Sequence, residues 1–188
     1  MQVERPIGEK TRGEIERKLE GMGDYVKMSY LQRALKSKLD YDTRKFVLLR
    51  LSGIYEDRKM HLDAARLIRS AAEINTTFRD KIKDFMKSVE LYIKAGNFDE
   101  ADIVFSQSLA LANISEKNEM KTSFKNYYLT QAKIAVKSDK RNHARKIYEK
   151  ALTLELETGE RSEIKKQLLI LYEKLGDVRS YLNLKNSM

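Results

Sequence analysis

Apolar residues in this chain recur at three- and four-residue steps, and short polar turns break the series repeatedly. That is the pattern of consecutive amphipathic helices, with no sustained alternation of the kind a strand needs. It is clearest over residues 91–111, where Tyr92, a Gly96-Asn97 turn, Phe98, Ala101, Phe105 and Leu109 follow one another. With Ala101 as register mark, Ala64 occupies the same slot upstream, and Ala144 and then Tyr181 occupy it downstream. The spacing is that of a repeat of ~34 residues plus a few, with one longer insertion between Ala101 and Ala144. A helical hairpin of this size cannot bury its apolar face alone, so copies must stack on one another.

The turn signals place the elements. Residues 1–12, with Pro6 and Gly8, read as a flexible lead-in ahead of Gly13. A divergent hairpin or cap follows at 13–39, broken at residues 21–24 and carrying Tyr30, Leu31, Ala34 and Leu35 in its second helix. Four hairpins are predicted at about 42–74, 78–113, 116–157 and 162–186. Thr77, with Asp80 behind it, reads as an N-cap. Asn97 and Glu100 have capping-box spacing. Ser115 is expected to open a long helix running to Lys137, and its partner is expected over 140–156. Gly159 reads as a break before a helix at 162–175. Gly176 should end that helix and Asp177 should cap a short last one. The whole of 13–188 is expected to form a single all-α domain of nine or ten helices.

Composition narrows the chemistry. Of 188 residues, 41% are hydrophobic and 35% charged, which suits a folded and highly charged chain. There is one proline and no cysteine, which removes disulfides, thiolate catalysis and Cys-based zinc sites. His61 and His143 cannot build a multi-histidine metal site, and no cofactor is implied. The start of the chain lacks a signal-like apolar core, and no apolar run approaches the ~18 residues of a membrane span. A cytoplasmic protein without membrane insertion is therefore expected. Two glycosylation sequons, at Asn75 and Asn113, fall in predicted loops rich in such residues anyway.

The hairpins resemble the tetratricopeptide repeat family. The bulky first-helix position of that family maps to Leu48, Phe85, Tyr128 and Lys165, and the small one to Ser52, Val89, Ala132 and Leu169. The late aromatic maps to Tyr55, Tyr92, Ala135 and Tyr172, and the second-helix aromatic to Ile68, Phe105 and Tyr148. The match covers about residues 42–182. It departs from the family in lacking every closing proline, in Lys165 and Leu169, and in having a turn glycine only at Gly96 and Gly176. The plainer alternative is a bundle whose hairpins are alike only because helix physics is alike.

The resemblance implies a right-handed α-solenoid of antiparallel hairpins whose first helices line a concave groove. By register, the groove residues are Phe46, Leu49, Arg50 and Gly53, then Lys83, Met86, Lys87, Glu90 and Lys94. Asn126, Leu129, Lys133 and Lys137 come next, then Lys166, Ile170 and Lys174. Basic groups with apolar anchors suit an acidic or amphipathic helical segment of a protein partner. The family's carboxylate clamp finds only Lys83 and Asn126, so a chaperone adaptor is not expected.

A non-enzymatic scaffold or adaptor is the leading expectation. Gly21-Met22-Gly23 lacks the third glycine of a dinucleotide fingerprint, and no P-loop, zincin or nucleophile-elbow motif occurs. The alternative is a basic helical-repeat protein that binds RNA or DNA, since net charge is +9 and Lys133, Lys137, Arg141 and Arg145 follow at four-residue steps. Plain solubility is the first explanation of such charge on a lysine-rich helical surface. Tyr181, Leu182 and Leu184 in the last hairpin need a cover, which self-association would also supply.

Overall fold

A computed structural model describes residues 7–188. Among them there are ten α-helices and no strand. The chain divides into two compact units, residues 7–95 with 99–112, and residues 96–98 with 113–188. The boundary falls inside the predicted hairpin at 78–113.

The first unit holds α1 (Arg12–Leu19), α2 (Asp24–Leu35), α3 (Tyr41–Asp57), α4 (His61–Ile74), α5 (Phe78–Ala95) and, apart from its first residue, α6 (Phe98–Leu111). From α2 to α5 each helix packs on its successor, and α1 lies on α3. Helix α4 is the inner element. Ala64, Ala65, Ala71 and Ala72 are fully buried, and their small side chains let two neighbours approach its backbone. Ser52 of α3 donates to the Ala64 carbonyl at 3.2 Å, and Ser88 of α5 donates to the Ala65 carbonyl at 2.9 Å. Both hydroxyls are buried, so these bonds remove donors that would otherwise cost ~1–3 kcal/mol each.

The second unit holds α7 (Ile114–Lys137), α8 (Arg141–Ala151), α9 (Thr158–Leu175) and α10 (Val178–Asn186), again packed in sequence order. Its core gathers Phe124, Tyr128, Ala132, Ala144, Ile147 and Leu168. The Tyr128 ring meets Phe124 edge-on at 5.2 Å and Phe98 at 5.5 Å. Helix α10 contributes no buried residue; Tyr181 and Leu184 are half-covered and Leu182 is exposed.

The register mark behaves as one. Ala64, Ala101 and Ala144 are all fully buried, while Tyr181 is only half-buried on the last helix. The turns repeat more closely than their sequences. In three of them the backbone N–H five residues on closes back to the helix, as Met60 to Tyr55 (2.8 Å), Lys140 to Ala135 (2.9 Å) and Asp177 to Tyr172 (2.9 Å). The left-handed residue in each is Lys59 (φ 62°), Asp139 (φ 52°) and Gly176 (φ 70°). The same Schellman closure therefore forms with or without glycine.

Several boundaries differ from the predicted ones for local reasons. Asn113, not Ser115, caps α7, through a reciprocal box with Glu116. Gly159 is no break; it sits in the first turn of α9, which Glu157 and Glu160 cap. Helix α2 stops at Leu35 and α8 at Ala151, short of the predicted 39 and 156. Thr77 does accept from the Asp80 N–H at 3.2 Å. Glu100 directs its Oε2 to Arg69 of α4 at 2.9 Å. Of the predicted lead-in, residues 1–6 lie outside the described residues. The remainder is anchored, with Ile7 N–H donating to Ser37 Oγ at 3.3 Å and Thr11 capping α1.

Gly96 has φ 76°, and a Cβ built there would stand 3.0 Å from His143 Cε1. Gly176 has φ 70° with open space around it. Gly96→Ala is therefore expected to cost about 1–3 kcal/mol, from backbone strain plus the imidazole contact. Gly176→Ala should cost only about 1–2 kcal/mol, the strain alone. Urea unfolding of both variants checks this. Equal losses would mean that His143 exerts no steric effect on the turn.

Both histidines are held below the ordinary 6.5. Burial is the leading cause, reinforced by Lys94 at His61 and by Lys140 and Lys146 at His143. The unfolded chain then binds more protons than the folded one as pH falls through 6.5 towards the folded pKa values, so stability is lost in that window. Tm is expected to fall from about pH 7.5 to pH 5, and the H61Q/H143Q variant should flatten that slope. Parallel profiles would show that other groups carry it.

Candidate functional site

In the first unit, the seam between α3 and α5 carries the predicted groove residues and largely closes on itself. Met86 was expected to stand out as an apolar anchor. It is buried at 8% exposure, with the Ser108 hydroxyl of α6 lying 3.7 Å from its sulfur while donating to the Phe105 carbonyl at 2.7 Å. Phe46 is half-buried beneath the Arg12 guanidinium, 4.8 Å from the ring centre, because α1 folds onto that end of α3. Leu49 is half-buried, and Arg50 and Lys83 are exposed.

The remaining three belong to a ring of charges with Glu56 of α3. Lys87 meets Glu56 at 3.0 Å and Glu90 at 3.4 Å, while Lys94 meets Glu56 at 3.3 Å and Glu90 at 2.7 Å. Each cation touches both acids. Burial opposes charge on Glu56, yet Lys87 and Lys94 outweigh it and hold its carboxyl below the usual range. Burial also opposes charge on Lys94, and Glu90 and Glu56 raise its pKa regardless. Two of the cations expected to greet a partner are thus spent on their own fold.

The second unit is different. Between α7 and α9 lies an open cleft of about 520 Å³. Tyr148 of α8 and Ile164 of α9, both buried, form its floor. Leu129, Lys133, Val136 and Lys137 form the α7 wall, and Glu160, Glu163 and Gln167 the α9 wall. Helical spacing explains the α7 wall, since positions 129, 133, 136 and 137 fall on one flank. One end is closed by Lys125, whose ammonium meets Glu160 at 2.7 Å and lowers its pKa together with the Glu157 N–H. Gln167 donates to Glu163 at 2.9 Å. Burial and the nearby Glu163 push the Tyr148 hydroxyl up.

Lys133 and Lys137 are exposed and have no ion-pair partner among the described residues. The same holds for Lys166 and Lys174 on α9, which flank Ile170. Asn126 is exposed one turn before Leu129. This unit holds 16 Lys and Arg against 10 Asp and Glu, so most of the chain's excess positive charge sits here.

Sequence reasoning found Leu129, Lys133 and Lys137 but missed Val136, Tyr148, Glu163 and Gln167. Tyr148 read as a core residue, and Val136 lies one position beyond Ala135, which holds the late-aromatic position. Comparing Val136 with Glu56, its counterpart in the earlier copy, was the available signal. Among the described residues no group of acids and histidines is placed to hold a metal, and no helix is long and apolar enough to cross a membrane.

No protein-family model matches the chain, and no curated protein matches it. Among solved structures, the crystal structure of BtubC (BKLC) from P. vanneervenii is similar at 15% identity and a TM-score of 0.36, over 93% of this chain and 72% of that one.

Proposed function

We propose that this chain is a non-catalytic interaction module whose helical hairpins, of tetratricopeptide-repeat type and stacked as a solenoid, present the α7/α9 cleft to a protein partner. The partner segment is acidic and amphipathic. One observation carries the reading. Two ammonium groups with no ion-pair partner among the described residues, Lys133 and Lys137, stand beside half-exposed Leu129 and exposed Val136 in an open cleft floored by Tyr148 and Ile164. A bare cation beside exposed apolar surface is a poor arrangement in water and a good one against a carboxylate on an apolar helix face. The contrasting seam in the first unit supports it, because there the lysines are already neutralised. The concentration of positive charge in the second unit favours a second reading, nucleic-acid binding, which needs no cleft.

A pull-down of tagged full-length chain, with and without nuclease and in parallel with K133E/K137E, separates the two. A defined protein retained after nuclease and lost from the variant supports the cleft. Nucleic acid recovered in its place, with proteins lost on nuclease treatment, supports the second reading and overturns the first.

A further inference from the structure

The two seams correspond position by position. The left-handed residues at 59 and 139 and at 96 and 176 are each 80 positions apart, so one offset superposes the turns ending α3 and α7 and those ending α5 and α9. The same offset takes Glu56 to Val136, Lys87 to Gln167, Glu90 to Ile170 and Lys94 to Lys174. In the first seam these four side chains are the closed ring of two lysines and two glutamates. In the second, both acids have become branched apolar residues. Val136 is 39% exposed and Ile170 45%. Lys174 has no counter-charge among the described residues, and Lys137 adds another cation at the same end.

We infer that the second seam is completed from outside by what the first seam provides for itself. The partner supplies two carboxylates, one to Lys137 and one to Lys174, and covers Val136 and Ile170 with apolar side chains. Charge-assisted bonds to ammonium groups are the stronger class, and covering the two apolar side chains removes them from water. The seam also sets direction. Lys125 neutralises Glu160, but Glu163 near the start of α9 meets only the Gln167 amide and repels acid, so the acidic end of the partner sits towards Lys174. This rests on the cleft being a protein-docking site and adds which groups the partner must carry and where.

The test is selection of short random peptides displayed on phage against the full-length chain, with V136E/I170E and L129D in parallel. The expected peptides carry two acidic residues one helical turn apart beside leucine, isoleucine or phenylalanine. Replacing those acids by glutamine should weaken binding to the native chain by about tenfold or more, equal to about 1.4 kcal/mol or more. V136E/I170E, which restores the ring acids internally, should bind the selected peptide at least as poorly while unfolding at or above the native temperature. Peptides that bind independently of acids, yet are lost on L129D, would overturn this inference and leave the cleft reading standing. Peptides indifferent to both variants, or no enrichment at all, would overturn both. A uridine oligonucleotide that binds the native chain and is lost on V136E/I170E would assign the seam to nucleic acid and also overturn the inference.

Discussion

Tyr128→Ala is expected to destabilise the chain by about 3–5 kcal/mol, the range for removing a fully enclosed aromatic ring. Tyr128 has no exposed surface and is the largest of the fully buried side chains. Phe124 stands edge-on to it at 5.2 Å and Phe98 at 5.5 Å. Removing the ring takes away its own transfer from water, leaves a cavity, and strips two aromatic neighbours of a partner worth about 0.5–1.5 kcal/mol beyond area alone. Tyr127, its half-buried neighbour in sequence, should lose about 1 kcal/mol or less on the same truncation. Urea unfolding followed by circular dichroism gives both numbers. Similar losses at the two positions would mean that the three-ring cluster does not organise the second unit. Since α7 also carries a wall of the cleft, Tyr128→Ala should abolish partner capture too, so binding must be probed at exposed positions.

K133E/K137E is expected to weaken partner capture by roughly 30- to 100-fold while stability stays within about 0.5 kcal/mol. Both side chains are exposed and have no ion-pair partner among the described residues, so reversing them breaks no internal salt bridge. What changes is the encounter. An acidic segment now meets two carboxylates, and like charges brought together at a docking surface cost several kcal/mol. The native interaction should also weaken with added salt, and that sensitivity should largely vanish in the variant. Lys87→Glu is the contrasting change. It places a third acid against Glu56 and Glu90, so it should lower stability and leave capture nearly intact. Capture by the native chain and by K133E/K137E to the same extent would remove the cleft from consideration.

Much of the architecture was legible because it is local. The apolar period placed most of the helices, and the small-residue mark at Ala64, Ala101 and Ala144 picked out three fully buried positions. Errors fell where two local signals competed. Asn113 and Ser115 are both good caps, and Asn113 won because Glu116 lies at the spacing that completes its box. Gly159 looked like a breaker, but glycine costs little in a first turn whose N–H groups are unpaired within the helix anyway. Lys59 and Asp139 carried no sign of left-handed backbone. The helix-closing hydrogen bonds at those turns hold them there against their own preference.

Side-chain fate was less legible. Leu49, Met86 and Leu129 share one register, yet Met86 is buried and the other two are half-exposed, because Ser108 of α6 closes over Met86. Lys94, Lys137 and Lys174 likewise share a register. Only Lys94 is neutralised, by Glu90 within its own helix and by Glu56, which lies 38 residues away in sequence.

The sequence by itself determined that the chain is helical, where most helices begin and end, and which small residues sit at their contacts. Those follow from hydrogen bonds and apolar spacing within a few residues. Only the tertiary structure decided which lysines are spent and which are free, and that an open cleft lies between α7 and α9. Those depend on charges and surfaces brought together from distant parts of the chain, as where Glu56 pairs with Lys87 and Lys94 in the first seam and exposed Val136 holds the corresponding position beside the cleft.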